Sequence, residues 1–302
     1  MSTYKYTVII PHYNIPQLLM RCLASIPVRE EIQVVVVDDC SPNGENFPEI
    51  YPALKRPHLT YLRTSQGGSA GRARNLGLAH AKGDWVTFMD ADDLFVEGMF
   101  EVVEKNLDKE ADVVFFNAIS VMSDNLSQPA DRNYYAPFFE QYQIDKSETD
   151  LRYNFQALWG KFFKRSFIEA HHIACDTTRY SNDVRFSFLA GIYAQKISVS
   201  KDPLYIVTQR EGSLAASQFS SITVSLEECQ SRLNVCLGID RLARRHHISL
   251  SPELPLSHSL TMRRQYPKHY LRMMAKLPLS HPQLFGKFLK RDFQTVARKL
   301  RQ

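Results

Sequence analysis

The chain has 302 residues, 44% hydrophobic and 23% charged, with a formal net charge of +5, an ordinary globular composition that excludes disordered, collagenous and coiled-coil classes. No uncharged apolar stretch reaches the roughly 18–20 residues that cross a bilayer, and MSTYKYTVIIPHYN lacks the blocks of a leader peptide, so a cytoplasmic protein is expected. Cys22, Cys40, Cys175, Cys229 and Cys236 are scattered and without C-x-x-C spacing, which suggests neither a disulfide framework nor a zinc site.

Residues 6–10 (YTVII) and 32–37 (IQVVVV) are short β-branched runs ending in polar or turn residues, the signature of strands buried on both faces. Between them Ile15, Leu18, Leu19, Cys22, Leu23 and Ile26 recur at helical spacing, with Pro16 suited to a first helical turn. The alternation continues with a strand at 59–63, a helix over 70–81, a strand at 85–89, a helix over 97–107 and a strand at 112–119. It predicts an α/β protein with a mostly parallel sheet flanked by helices and ligands at the carboxyl ends of the strands. Residues 120–150 turn polar and aromatic, an excursion over the active face. Helices are expected near 155–170 and 182–194, then short strands at 196–200 and 204–209.

The remainder reads as helices interrupted at prolines. Residues 1–224 hold 22 Lys+Arg against 27 Asp+Glu, and residues 225–302 hold 15 against 5. The expected division is therefore a domain over 1–223 and a basic helical region over 224–302. In GKFLKRDFQTVARKLRQ, Phe288, Phe293, Val296 and Leu300 share one side among basic residues. That stripe suits either docking on the core or peripheral contact with a membrane.

Three polar clusters follow predicted strands: Pro11 to Asn14, Asp38 to Ser41, and Asp90 to Asp93. Five carboxylates gathered at one edge need compensation, and a divalent metal is one source. Asp-x-Asp after a buried strand offers two hard oxygen ligands, which makes Asp90 and Asp92 metal candidates; the alternative is a cap on the following helix, assigned here to Asp93. Of the other pair, Asp39 is taken as the acceptor for a nucleotide base and Asp38 as a turn residue with Ser41. GGSAGRARNLGLAHAKG is glycine-rich and opens a helix, so its backbone N–H groups with Arg72 and Arg74 suit phosphate or base. It lacks the spacing of a P-loop. Two residues apart, Arg72 and Arg74 do not share a helix face.

Taken together, VIIPHYN at 8–14, VVVDDCSPN at 35–43, GGSAGRARNLGLAHAKGDWVTFMDADD at 67–93, YSNDVRFSFLAG at 180–191 and QREGS at 209–213 resemble the nucleotide-sugar domain of family 2 glycosyltransferases, the GT-A fold. The resemblance implies an inverting transferase using a nucleoside diphosphate sugar, usually UDP, with Mn2+ or Mg2+ and a glycan or lipid-linked acceptor, and no nucleic-acid partner. It implies that Pro11 and Tyr13 contact the nucleobase, that Asp39 accepts from uracil, and that Arg72 or Arg74 supports base or diphosphate. Asp90 is implied at ribose or metal, Asp92 as the direct metal ligand, Arg210 and Ser213 in a loop over the diphosphate, and Trp159 and Lys161 on an acceptor-side helix. Asp183 falls at the catalytic base of the family's Glu-Asp pair, which here is Asn182-Asp183; the competing role is a helix N-cap. A catalytically silent scaffold of the same fold is the alternative function. A phosphatase would carry its Asp-x-Asp on the first strand, and a nucleotidyltransferase would carry a basic glycine-rich signature near the N-terminus.

Overall fold

A computed structural model describes residues 4–210, 224–250 and 253–290. The chain forms two compact units, Met1–Phe219 and Ser220–Gln302.

The first unit is built on one eight-stranded sheet of order β3-β2-β1-β4-β7-β6-β8-β5. Strands β1 (Tyr6–His12) and β2 (Ile32–Asp38) are buried at every position, the result of lying inside a sheet covered on both faces. β3 (Leu59–Arg63) is the half-buried edge. β1 pairs in parallel with β2 up to His12↔Asp38, so the two strand tips lie side by side. β4 (Trp85–Phe88) flanks β1 only up to Ile9↔Phe88. Pro11 therefore sits where the ladder on that side has ended, and its missing N–H costs no hydrogen bond there.

β5 (Leu94–Phe95), β6 (Val113–Met122), β7 (Lys161–Lys164) and β8 (Ile197–Gln209) complete the sheet, with β7 and β5 running against the others. The helices of this unit are α1 (Pro16–Ala24), α2 (Phe47–Ile50), α3 (Ala70–Ala79), α4 (Met99–Asn106), α5 (Ala136–Asp145), α6 (Thr149–Tyr153), α7 (Arg165–Ala170) and α8 (Val184–Tyr193). α3 packs on the sheet through Ala73 against Val35 and Val37. Its Gly77 lies so close to Ile9 that a Cβ there would meet the Ile9 side chain at 2.4 Å.

Three expectations change. Residues 155–170 are not one helix: Lys161–Lys164 form β7, wedged between β4 and β6, and only Arg165–Ala170 are helical. Burial of Phe162 and Phe163 in the sheet outweighs local helical pattern. The two short strands after residue 195 are one strand, β8, whose register against β6 jumps from Ser200 to Pro203, so the break expected between them is absorbed as a bulge. α4 starts at Met99 behind Gly98, which has φ +70.

The second unit contains α9 (Leu226–Arg245), α10 (Glu253–Gln265), α11 (Pro267–Ser280) and a helical stretch at 282–290. α9 starts at Ser225, whose hydroxyl accepts from the Glu228 N–H, and ends on Arg244 and Arg245, which complement the helix dipole. Cys229, Leu233, Met262 and Tyr270 form one core cluster, and Leu277, Leu284 and Phe288 another. Phe288 is thus a core residue, which settles one position of the C-terminal stripe; Phe293, Val296 and Leu300 lie outside the described residues. No described helix is long and apolar enough to cross a membrane.

Candidate functional site

The carboxyl ends of β1, β2 and β4 carry the predicted clusters. At the tip of β1, Pro11 is buried and Tyr13, 56% exposed, points its ring outward. His12 is fixed between two partners, Nδ1 at 3.1 Å from Asp38 Oδ1 and Nε2 accepting from the Ile15 N–H at 3.1 Å. Asp38 is buried and also accepts from the Ser41 N–H (3.0 Å) and Arg63 Nε (3.1 Å). Burial raises its pKa, but the His12 and Ser41 bonds outweigh burial and hold the carboxyl below its ordinary value. Asp39 accepts from the Gly68 and Ser69 N–H groups on Oδ2 (2.8 and 2.7 Å) and from the Thr64 hydroxyl on Oδ1 (3.1 Å). It latches β2 to the loop that opens α3, and only the second lone pair of Oδ1 is left for a base.

Arg72 and Arg74 part company. Arg72 donates to the Gln66 and Gly67 carbonyls at 2.8 and 3.1 Å, bracing its own glycine loop. Arg74 is buried and donates from Nη1 to Asn182 Oδ1 (2.7 Å) and from Nη2 to Asp90 Oδ1 (2.8 Å). One guanidinium thereby joins the end of β4 to the residue preceding Asp183. The approach is close: a Cβ on Gly71 would lie 2.0 Å from the Asp176 carbonyl and 2.8 Å from Asn182 Cβ.

Asp92 Oδ2 receives Arg210 Nε at 3.1 Å. The Asp90 and Asp92 side chains are 31% and 13% exposed, and each arginine occupies a single oxygen of its carboxylate. No group of three or more His, Cys, Asp or Glu suited to a metal occurs among the described residues. Two hard carboxylates fall short of a closed cage, but they fit an ion whose shell is completed by phosphate oxygens. Asp93 is not a cap. It accepts from the Tyr205 hydroxyl (2.9 Å) and the Thr208 N–H (2.7 Å), and burial reinforced by Asp92 and Asp90 pushes its carboxyl well up.

Asp183 occupies the N-cap position of α8 without a side-chain cap bond. Packing desolvates its carboxyl and raises its pKa; Arg74 works against that rise, Asp90 adds to it and Lys161 opposes it. Tyr135, from the 120–150 excursion, stacks on Phe155 with ring centroids 4.2 Å apart, and its phenol is pushed up by burial and by Asp183. The excursion therefore reaches the surroundings of Asp183.

The acceptor-helix assignment fails for two residues. Lys161 opens β7, buried, with Nζ donating to the Phe155 carbonyl (2.6 Å) and the Ser187 hydroxyl (3.2 Å); burial holds it well below ordinary lysine values. Trp159 has one face covered by the Tyr205 ring, 5.2 Å between centroids at 6°. Ser213 lies outside the described residues. Sequence reasoning missed Tyr205, which also accepts from the Asp90 N–H at 3.0 Å, and Arg21, whose Nη2 holds the Asp92 carbonyl at 2.7 Å. Neither belongs to a motif, so nothing local marks them.

A family model described as glycosyl transferase family 2 matches residues 7–171, more than half of the chain. The chain is 28% identical over 239 residues to the glycosyltransferase GlyG of Streptococcus pneumoniae, covering 70% of this chain and 73% of that protein. It is 26% identical over 225 residues to the poly(ribitol-phosphate) beta-N-acetylglucosaminyltransferase TarS of Staphylococcus aureus, covering 72% of this chain and 38% of TarS. The chain thus spans well under half of that second relative. The structure of S. aureus TarS 1-349 in complex with UDP-GlcNAc matches with a TM-score of 0.59 at 20% identity, covering 93% of this chain and 78% of that one. The mannosyltransferase PcManGT from Pyrobaculum calidifontis, in complex with GDP-Man and Mn2+, matches at 0.52 and 17%, covering 97% and 80%. At these identities the structural likeness speaks to the fold alone.

Proposed function

The chain belongs to glycosyl transferase family 2, with the GT-A fold, and from that premise we propose that it moves a sugar, with inversion, from a UDP-sugar to a hydroxyl of a glycan or lipid-linked acceptor in the cytoplasm. One relative is named a minor teichoic acid biosynthesis protein, GgaB of Bacillus subtilis, 34% identical over 122 residues that make up 39% of this chain and 14% of that one. The observation that carries the reading is the Arg74 guanidinium, which bridges Asn182 and Asp90 and so brings the base candidate and the Asp-x-Asp pair to one place.

In this reading Pro11 and Tyr13 form the face against which the base lies, with Asp39 behind them as acceptor. Asp90 and Asp92 would hold a divalent cation, Mn2+ or Mg2+, which when bound would supply Lewis-acid stabilisation of negative charge on the diphosphate. Arg210 stands beside Asp92 and adds a donor to the same charge. Asp183 takes the proton of the acceptor hydroxyl as its oxygen bonds to the anomeric carbon and the bond to the diphosphate breaks on the opposite face. A single displacement of this kind inverts the centre. The raised pKa of Asp183 suits a base, since a carboxylate poised nearer neutrality accepts a proton more readily.

The test is nucleotide release from a panel of nucleotide sugars with Mn2+, with and without EDTA. UDP release that EDTA abolishes is expected with at least one donor. Asp183→Asn is expected to cut turnover roughly 10²–10⁴-fold with donor affinity unchanged. No release from any donor, or full turnover in Asp183→Asn, refutes the proposal.

A further inference from the structure

We infer that the outer face of α11 is a docking surface for an anionic lipid bilayer. At 100° per residue, Leu271, Ala275, Lys268, Leu279, Arg272 and Lys276 occupy one arc of about 140°, and every one of them is exposed. Leu271 and Leu279 are 66% and 93% exposed. The opposite side of the same helix buries Tyr270 and Leu277, with Met273 and Met274 packed against the core clusters. α11 thus has its core face already, and the two leucines are a second apolar feature.

Isolated exposed leucines are ordinary on protein surfaces. Here they share a helix face with three cations, which is the composition of an interfacial helix: leucine to enter the acyl boundary, lysine and arginine to meet headgroup phosphates. The charge is not balanced locally. From residue 254 to residue 291 the sequence contains no Asp or Glu and eight Lys or Arg. The described ion pairs of the unit, Arg232–Glu228 and Arg244–Asp240, lie within α9. Lys287 and Lys290, both exposed, extend the basic surface along 282–290. α11 has 14 residues, too short to span a bilayer, so the contact is peripheral. A single-stranded nucleic acid would be met by cations with stacking aromatic rings, and this face offers aliphatic side chains instead. The inference rests on the second unit alone and goes beyond the transferase reading.

The experiment is sedimentation of the full chain with phosphatidylcholine vesicles with and without phosphatidylglycerol. Binding to the anionic vesicles is expected, released by salt, with no binding to phosphatidylcholine alone. The triple variant Lys268→Glu, Arg272→Glu, Lys276→Glu is expected to weaken binding roughly a hundredfold or more. Leu271→Ser with Leu279→Ser is expected to weaken it about tenfold or more and to keep the salt dependence. All five positions are exposed, so circular dichroism and nucleotide release should match the unmodified protein. Absence of binding to anionic vesicles, wild-type binding by either variant, or loss of RNA binding by the triple variant with vesicle binding intact would overturn the inference. Nucleotide release is read separately, so its failure would break the transferase reading without touching this one.

Discussion

Two pairs of aspartates follow buried strands in this protein, and the structure treats them in opposite ways. Asp38 and Asp39 are each held by three donors of the protein itself: His12, Arg63, Thr64 and three backbone N–H groups reach their oxygens, leaving little room beyond one lone pair of Asp39 Oδ1. Asp90 and Asp92 each meet a single arginine through a single side-chain oxygen and remain partly open. The first pair ties β2 to β1 and β3 through Asp38 and to the start of α3 through Asp39; the second has unspent capacity for a ligand. A carboxylate's role thus follows from how many donors reach it, which the aspartate alone does not announce.

The sharpest break of that comparison is Asp92→Asn. Turnover is expected to fall about a thousandfold through loss of charge stabilisation, with the melting temperature nearly unchanged, measured by nucleotide release alongside calorimetry. Asp38→Ala should do the reverse, lowering stability by about 1–3 kcal/mol in urea titrations because it leaves the buried His12 ring and the Ser41 N–H without their acceptor. Its folded molecules should keep their donor affinity. The folded pKa of Asp38 is depressed, so its contribution is complete above the unfolded value near ~3.9 and is lost as pH falls through the folded value. If Asp38→Ala instead unfolds at the wild-type urea midpoint but loses turnover, the two pairs do not differ as described.

Gly71→Ala ranks next. Its Cβ would press on the Asp176 backbone, costing about 1–3 kcal/mol and displacing the segment that leads to Asp183; turnover should fall more than donor binding. The pH profile sharpens the role of Asp183. The carboxyl must be deprotonated to accept a proton and its pKa is raised, so turnover should decline as pH falls through a value above that of an ordinary aspartate. A decline at the ordinary value would show an unperturbed group. The smallest effect belongs to Arg72→Ala. With its guanidinium on its own loop carbonyls, stability should change by under about 1 kcal/mol and donor affinity by little; a tenfold loss of affinity would move Arg72 to the diphosphate.

Much of the fold was legible because β1 and β2 carry β-branched runs with turn residues behind them, and burial on both faces leaves that pattern in the sequence. β7 was not legible. KFFK is too short to show a period, and only its place between β4 and β6 makes it a strand. The candidate site divides in the same way. The Asp-x-Asp after β4, the tip of β1 and the Asn182-Asp183 pair stand out by position, whereas the capping role expected of Asp93 fails because Tyr205 and Thr208 reach it from more than a hundred residues away.

The sequence by itself determined which strands are central, where the polar residues emerge from them, and that the C-terminal quarter is basic, because these follow from neighbours in the chain and from local hydrophobic pattern. Only the tertiary structure decided that Arg74 joins Asp90 to Asn182, that Lys161 is buried, and that Leu271 and Leu279 face water. Those facts depend on which side chains meet across long sequence separations, where hydrogen-bond donors and apolar surface are shared out by packing.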